Sequence, residues 1–340
     1  MGLFDLFKKK KTISSFPENE LEQSLMQAAS SVAAQKEFYQ KLLWSQLYVL
    51  TGKESVTKEG VQVLEKDTTV QLVAFEGGQI PVFTSANRIN DKGIVKEELY
   101  YMSLKAQDLF GMAKGATFVL NPYSPYGKEL IPEEIECLLN GTIYAKIEEK
   151  EAEAKKYQDF NALFEKAARR QEDLILLDGY RRKPLGSAER ERLEASISDF
   201  QKCLEILPVH WQSMVLMAKA YQRMERHEEA LQQLETAFHI EKENHSIPLE
   251  ASLEAMHLND INKALFYSEE SLKRKPDSFA LMGNHAMNLL VAGKDNEAKE
   301  MIEKAIQLNP QDAVNKNIAA VVKDVLSGNR VRPGFKDAIN

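Results

Sequence analysis

The spacing of apolar positions changes twice along the chain. After Pro17, Leu21, Leu25, Ala28, Ala29, Val32 and Ala33 recur at helical intervals. Phe38, Leu42, Leu43, Leu47 and Leu50 continue the run to Gly52, with Ser30 and Ser31 marking a break inside it. Residues three and four apart share a helix face, so this spacing predicts helix from Leu21 to Leu50. From Gly60 the period shortens. Val61 with Val63, Val70 to Phe75 and Ile80 to Phe83 are β-rich runs, the last two joined by Gly77-Gly78 as in a hairpin. A polar loop with Asn87, Asn90, Asp91 and Gly93 follows. The pattern then predicts a strand over Leu99 to Leu104, a short helix over Ala106 to Ala113 closed by Gly115, and a strand over Ala116 to Leu120. Asn121 to Lys128 carries two prolines and a glycine and reads as a loop. Pro132 opens a helix where its missing N–H costs nothing, and Glu133 and Glu134 suit the positive end of the dipole. Asn140-Gly141 ends it, and Thr142 to Ile147 reads as a last strand. Strands mixed with helices make this an α+β domain. Glu148 to Lys156 is a Glu, Ala and Lys run, either a solvated helical linker or the exposed start of a helix. Beyond it the pattern is almost wholly helical, broken by the basic loop Arg181 to Ser187.

Within that helical half the chain repeats itself every 34 residues. Ser196, Ala230, Ala264 and Ala298 form one series, and Cys203, Ala237, Ser271 and Ala305 a second. Phe200, Leu234, Ser268 and Ile302 form a third, and Ala218, Ser252 and Ala286 a fourth. Pro208, Lys242, Pro276 and Pro310 form a fifth, with Lys242 departing from proline. Small residues let paired helices touch, larger apolar ones fill the gaps, and proline ends the second helix. No single pair can bury its own apolar face, so neighbours must stack. Over Ser196 to Pro310 this resembles the tetratricopeptide repeat family, an all-α solenoid. Residues 211–242, 245–276 and 279–310 are full units. Residues 155–208 supply an irregular first unit, its first helix broken over Tyr180 to Ser187, and 312–326 a capping helix. In that family the first helix of each unit lines a concave groove. The resemblance places Gln212, Val215, Lys219, Gln222 and Arg223 inward in the first full unit, Leu249, Leu253 and Met256 in the second, and Gly283, Asn284, Met287 and Leu290 in the third. Some relatives clamp a terminal carboxylate with several basic and amide side chains. Here only Lys219, Arg223 and Asn284 remain among apolar residues, which favours an amphipathic helix, from a partner or from this chain, as the ligand. Taken singly, Leu253, Met256 and Met287 also fit as ordinary core.

The first half carries a second resemblance. Phe38 to Val49 (FYQKLLWSQLYV), Ile80 to Ser85 (IPVFTS) and Phe118 to Leu130 (FVLNPYSPYGKEL), followed by the Glu-rich helix Pro132 to Leu139, are together similar to the amino-terminal domain of the SseB (enhanced serine sensitivity) family. The resemblance spans roughly 20–145 and implies a bacterial cytoplasmic protein, without implying a chemistry. The family's usual second domain is not evident, and the repeats stand in its place. Asn121, Pro122, Tyr123 and Gly127 mark the best candidate loop here, since loops on rigid sheets often carry recognition. The competing reading is a plain turn capping the next helix.

Composition narrows the function further. A formal net charge of −7 argues against a general nucleic-acid binder, which needs a basic face. Two cysteines far apart in sequence, Cys137 and Cys203, argue against a disulfide framework and suit a reducing cytoplasm. No run approaches the about 20 apolar residues of a bilayer span. The amino terminus, MGLFDLFKKKK, has its basic residues after the apolar ones, unlike a secretory signal, and Leu6 stands where an acylation motif wants Ser or Thr. It reads as a solvated tail, with membrane or partner contact through Leu3, Phe4, Leu6 and Phe7 as the alternative. Phosphate-loop, dinucleotide, nucleophile-elbow and zinc-protease motifs are missing, and Ser55-Val-Thr-Lys58 lacks the partner motifs of an S-x-x-K enzyme. All six histidines lie in the repeat half, none at zinc spacing, so neither a metal nor a cofactor is expected.

The expected organisation is therefore a basic tail (1–16), an α+β domain (17–147), a helical-repeat domain (148–330) and a short tail (331–340). The expected function is a non-enzymatic adaptor that binds a protein or peptide in the repeat groove. Two alternatives stay open: a chaperone or immunity-type factor that sequesters a cognate secreted effector, and a small-molecule-binding or enzymatic amino-terminal domain. Oligomeric state is left open.

Overall fold

The computed structural model describes residues 15–52, 69–93, 100–176 and 184–334. The chain divides into two compact units, Met1–Lys155 and Lys156–Asn340. The division falls inside one long helix.

The first unit runs α1 (Glu20–Ser30), α2 (Val32–Trp44), β1 (Gln46–Thr51), β2 (Ile80–Phe83), a 3-10 helix (Ala86–Gly93), β3 (Tyr100–Lys105), α3 (Ala106–Met112), β4 (Phe118–Leu120), β5 (Lys128–Leu130), α4 (Pro132–Leu139) and the start of α5 (Thr142–Gln171). The sheet order is β3-β1-β2-β4-β5. β2 pairs with β4 in parallel and the other pairs are antiparallel. Alternation along β1 sends Leu47 and Val49 to the main core with Phe38, Leu42, Phe110, Phe118 and Leu138. Tyr48 and Leu50 belong to a smaller cluster with Phe83, Ile89 and Tyr123.

Four expectations are corrected. Helix does not reach Leu50: α2 stops at Trp44, and Leu47 to Leu50 lie in β1. Apolar residues at 47, 49 and 50 fit a strand as well as a helix, and Tyr48-Val49 tips the balance. Val70 to Phe75 forms no regular strand: Leu72 makes one bridge to Thr51, flanked by bonds from Gly52 N–H to the Gln71 carbonyl and from Val73 N–H to the Leu50 carbonyl, and Phe75 N–H reaches the Gln79 carbonyl across the turn. The polar loop coils into the 3-10 helix. Thr142 to Ile147 is helix, because Ile143 and Ile147, four apart, bury together and the Glu/Ala/Lys run continues that helix. The expectations on Met1 to Lys11, Ser55 to Lys58, Val61, Val63, Leu99 and Arg181 to Lys183 lie outside the described residues.

The second unit continues α5 and adds α6 (Ser187–Ile206), α7 (Trp211–Arg223), α8 (His227–Ile240), α9 (Ser246–His257), α10 (Ile261–Arg274), α11 (Phe279–Val291), α12 (Asp295–Leu308) and α13 (Ala313–Leu326). The 34-residue register is the packing register. Ser196, Ala230, Ala264 and Ala298 are buried at equivalent helix contacts, as are Cys203, Ala237, Ser271 and Ala305. Each turn between the helices of a full unit needs one left-handed residue, and Glu225, Asn259 and Gly293 supply it at φ 60°, 63° and 79°, again 34 apart. Where serine replaces alanine it bonds across the stack: Ser196 Oγ donates to the Ala167 carbonyl at 2.8 Å and Ser252 Oγ to that of Ala264 at 2.9 Å. Lys242, in place of proline, donates to the Phe238 carbonyl at 3.4 Å. The second unit is a tetratricopeptide-type solenoid.

Candidate functional site

The loop Asn121–Gly127 is built on a buried polar knot. Asn121 adopts φ 48° and is wholly enclosed. Its Oδ1 accepts the Thr84 N–H at 3.0 Å, and its Nδ2 donates to Thr84 Oγ1 at 2.9 Å. Thr84 in turn donates to Glu22, which Arg88 holds at 2.8 and 2.7 Å. Arg88 also reaches Asp91 at 3.3 Å, and Asp91 accepts from Ser124 Oγ of the loop at 3.0 Å. Burial raises the Glu22 pKa, but the hydrogen bonds from Arg88 and Thr84 outweigh it and hold the carboxyl below its ordinary value. A side chain at Gly127 would place its Cβ 3.1 Å from the Asn121 carbonyl, so anything larger than glycine makes the loop backbone give by a few tenths of an ångström. Pro122 and Tyr123 are partly exposed, and Tyr123 packs on Phe83 and Phe75. Through Thr84 the structure ties Asn121 to Glu22 of α1. Glu22, Thr84 and Arg88 escaped sequence reasoning because their pairing joins residues more than sixty apart, with no local signal.

On the first helices of the repeats, the inward set splits in two. Gln212 is exposed, and Val215, Leu249, Leu253, Asn284 and Met287 are partly exposed. Lys219, Gln222, Met256 and Leu290 are buried. Gly283 is buried as well, beneath Asn315 of α13. Lys219 Nζ sits 2.6 Å from Glu250, which also accepts from Gln222 Nε2 at 2.9 Å. Burial pushes the Glu250 carboxyl up from its ordinary value, against the pull of Lys219. Arg223 donates to the Leu174 carbonyl at 3.0 Å. Next to this pair, Glu254 accepts His227 Nδ1 at 2.8 Å, and the His227 and His257 rings stack in parallel at 4.1 Å. Burial and His227 lower the His257 pKa. Glu250 and Glu254 were invisible as site residues: helical spacing shows which face they share, not which cations meet them. Among the described residues no three metal-type side chains gather, and no helix is long and apolar enough to cross a membrane.

Comparison with known proteins reads this architecture directly. Residues 21–137 match the family described as SseB protein N-terminal domain, and residues 282–312 match the tetratricopeptide repeat. Within the first unit, residues 21–137 are therefore similar to the SseB N-terminal domain. Two proteins named Protein SseB, from Escherichia coli (strain K12) and Shigella flexneri, are each 32% identical over 126 residues, 36% of this chain and 46% of theirs. The chain thus spans about half the length of the curated relatives it matches. Among solved structures it is similar to YrrB, described as a tetratricopeptide protein with an unusual peptide-binding site (20% identical, TM-score 0.37, 42% of this chain and 73% of that one). It is also similar to MamA (10% identical, TM-score 0.42, 49% and 82%). A third likeness is the first tetratricopeptide domain of Spaghetti (RPAP3) bound to the HSP90 peptide SRMEEVD (14% identical, TM-score 0.33, 34% and 93%). The Glu22–Arg88–Asn121 knot lies within the span that matches the SseB domain, and the Lys219–Glu250 pair lies outside it, in the repeats.

Proposed function

We propose that this chain is a non-enzymatic adaptor whose repeat array holds a segment of a partner protein against α7, α9 and α11, while the SseB-like domain serves as a second binding module. One observation carries the reading. The two basic side chains at inward positions of α7 are committed internally, Lys219 to Glu250 and Arg223 to the Leu174 carbonyl, while Val215, Leu249, Leu253 and Met287 keep apolar surface partly open. Such a surface is largely apolar, with its nearest cations engaged by internal partners. It suits the apolar face of an amphipathic helix better than a free terminal carboxylate, which needs cations it can pair with. Gln212 and Asn284 supply polar contacts along it.

The test is affinity capture with mass spectrometry, followed by reciprocal capture from the partner. Leu253→Asp combined with Met287→Asp should lose that partner while circular dichroism shows an unchanged helical signal. Full retention of the partner by the double variant contradicts the reading.

A further inference from the structure

We infer that the crevice between α5 and α6 is a separate binding site and that it takes a phosphate group. The crevice holds a cavity of about 470 Å³, lined by Ala162, Glu165, Lys166, Arg169 and Arg170 of α5 and by Arg192 of α6. None of the inward residues of α7, α9 and α11 lines it. Helical spacing builds its basic wall. Residues 162, 166 and 170 recur every four positions on α5, and 165 and 169 form the neighbouring row. On α6, Arg192 and Asp199 lie seven apart and share one stripe.

The charges there do not balance. Asp199, almost wholly buried, is shared by Arg170 Nε at 3.0 Å, Lys166 Nζ at 3.1 Å and Lys202 Nζ at 3.9 Å. Three cations on one carboxylate leave a surplus of two positive charges, in a chain whose net charge is −7. Asp199 orients Lys166 and Arg170 without using up their donors. Arg170 gives it only Nε, and Arg169 gives Glu165 only Nη2, at 2.9 Å. The other nitrogens of both guanidinium groups meet no protein acceptor among the described residues. Arg192 is already served: Asp173 takes two of its nitrogens at 2.5 and 3.2 Å, and Glu189 lies nearby. It bounds the cavity rather than charging it. A phosphate monoester matches what is left. It carries a charge of about −1.5 to −2 and three acceptor oxygens, for the ammonium of Lys166 and the open edges of Arg169 and Arg170. A carboxylate brings one charge and two oxygens, and leaves a cation unbalanced.

Isothermal titration calorimetry on the full chain tests this with three probes: inorganic phosphate, a phosphoserine peptide and the same peptide with plain serine. At least one phosphate probe should bind saturably, about tenfold or more tighter than the serine peptide. Tighter binding of the phosphoserine peptide assigns the group to a phosphorylated protein; tighter binding of inorganic phosphate assigns it to a free phosphate compound. Lys166→Gln with Arg169→Gln, both on exposed side chains, should weaken the bound probe about tenfold or more, while Lys299→Gln on the exposed face of α12 should leave it unchanged. Arg169→Gln alone, at the most exposed of the cations, should weaken it in the same direction if the double variant loses its helical signal. If neither phosphate probe binds, or the α5 variants bind as the parent does, the inference is overturned. Capture of a partner through Leu253 and Met287 is read separately and stands or falls on its own.

Discussion

Lys219 of α7 lies 2.6 Å from Glu250 of α9, and both side chains are enclosed between the first helices of adjacent repeats. The pair removes a cation from the inner surface and couples two units. Truncating one partner leaves the other charged and buried, so Lys219→Ala should cost about 3 kcal/mol of stability. Lys219→Met with Glu250→Leu replaces both and should cost about 1 kcal/mol or less. Urea unfolding followed by circular dichroism measures both. Equal losses in the two variants would show that the charges do not depend on one another.

Acid should loosen the array before it affects ordinary surface groups. Burial lowers the pKa of His210, His257 and His285, with His227 adding to the effect on His257. In the unfolded chain these rings titrate near about 6.5, so the unfolded state takes up protons first. Their contribution is full above that value and is lost as pH falls through it towards the lower folded pKa values. Glu250, raised by burial, works in the opposite direction: its contribution is present below its unfolded pKa and is lost as pH rises through its folded one. Three imidazoles against one carboxyl give a lower melting temperature at pH 5.5 than at pH 7.5. His257→Asn with His285→Asn should flatten that slope in a thermal-shift series.

Two glycine substitutions should act with opposite sign. A Cβ added at Gly283 would lie 1.9 Å from Asn315 Oδ1, and Asn315 is buried with its Nδ2 bonded to the Phe279 carbonyl at 3.0 Å. Gly283→Ala should therefore cost about 2 kcal/mol through displacement of α13. Glu225, by contrast, holds φ 60° where Gly293 sits at the equivalent turn. Glu225→Gly should raise stability by about 0.5–1 kcal/mol, the left-handed penalty less the extra entropy of glycine when unfolded. Melting curves of the two variants should fall on opposite sides of the parent.

The thiols should differ in reactivity. Cys203 is buried and its pKa is pushed up to about 11, first by burial and then by Asp199. Lys146 Nζ lies 3.0 Å from Cys137 and lowers that thiol below its ordinary value. A disulfide reagent should modify one cysteine rapidly in the native chain, and Cys137→Ser should remove that phase. Two equal fast phases would contradict the burial of Cys203.

These outcomes also mark what the amino-acid pattern could reveal. The repeat was legible to the residue, because Ala230, Ala264 and Ala298 recur in the positions where helices touch. The SseB-like domain was legible through three separated segments, yet its strands were harder to place. Leu47 and Leu50 fit two periods at once, and Ile143 with Ile147 looked like a strand until the helix beyond them supplied its length. The inner surface was legible only by position. Val215 and Lys219, four apart, follow the same family pattern, but Glu250 on another helix buries Lys219 and none of that pairing is written locally. Asn121 stood out as a loop residue, and its role in tying that loop to Glu22 through Thr84 emerges only in three dimensions.

The central claim is that partly open apolar positions on α9 and α11 hold the partner. A photo-crosslinking residue at Leu253 or Met287, compared with one at exposed Phe266 of α10, tests it directly in living cells. A discrete crosslinked species from positions 253 and 287, absent at 266, is the predicted result. Crosslinking confined to position 266, or none at 253 and 287, would contradict it.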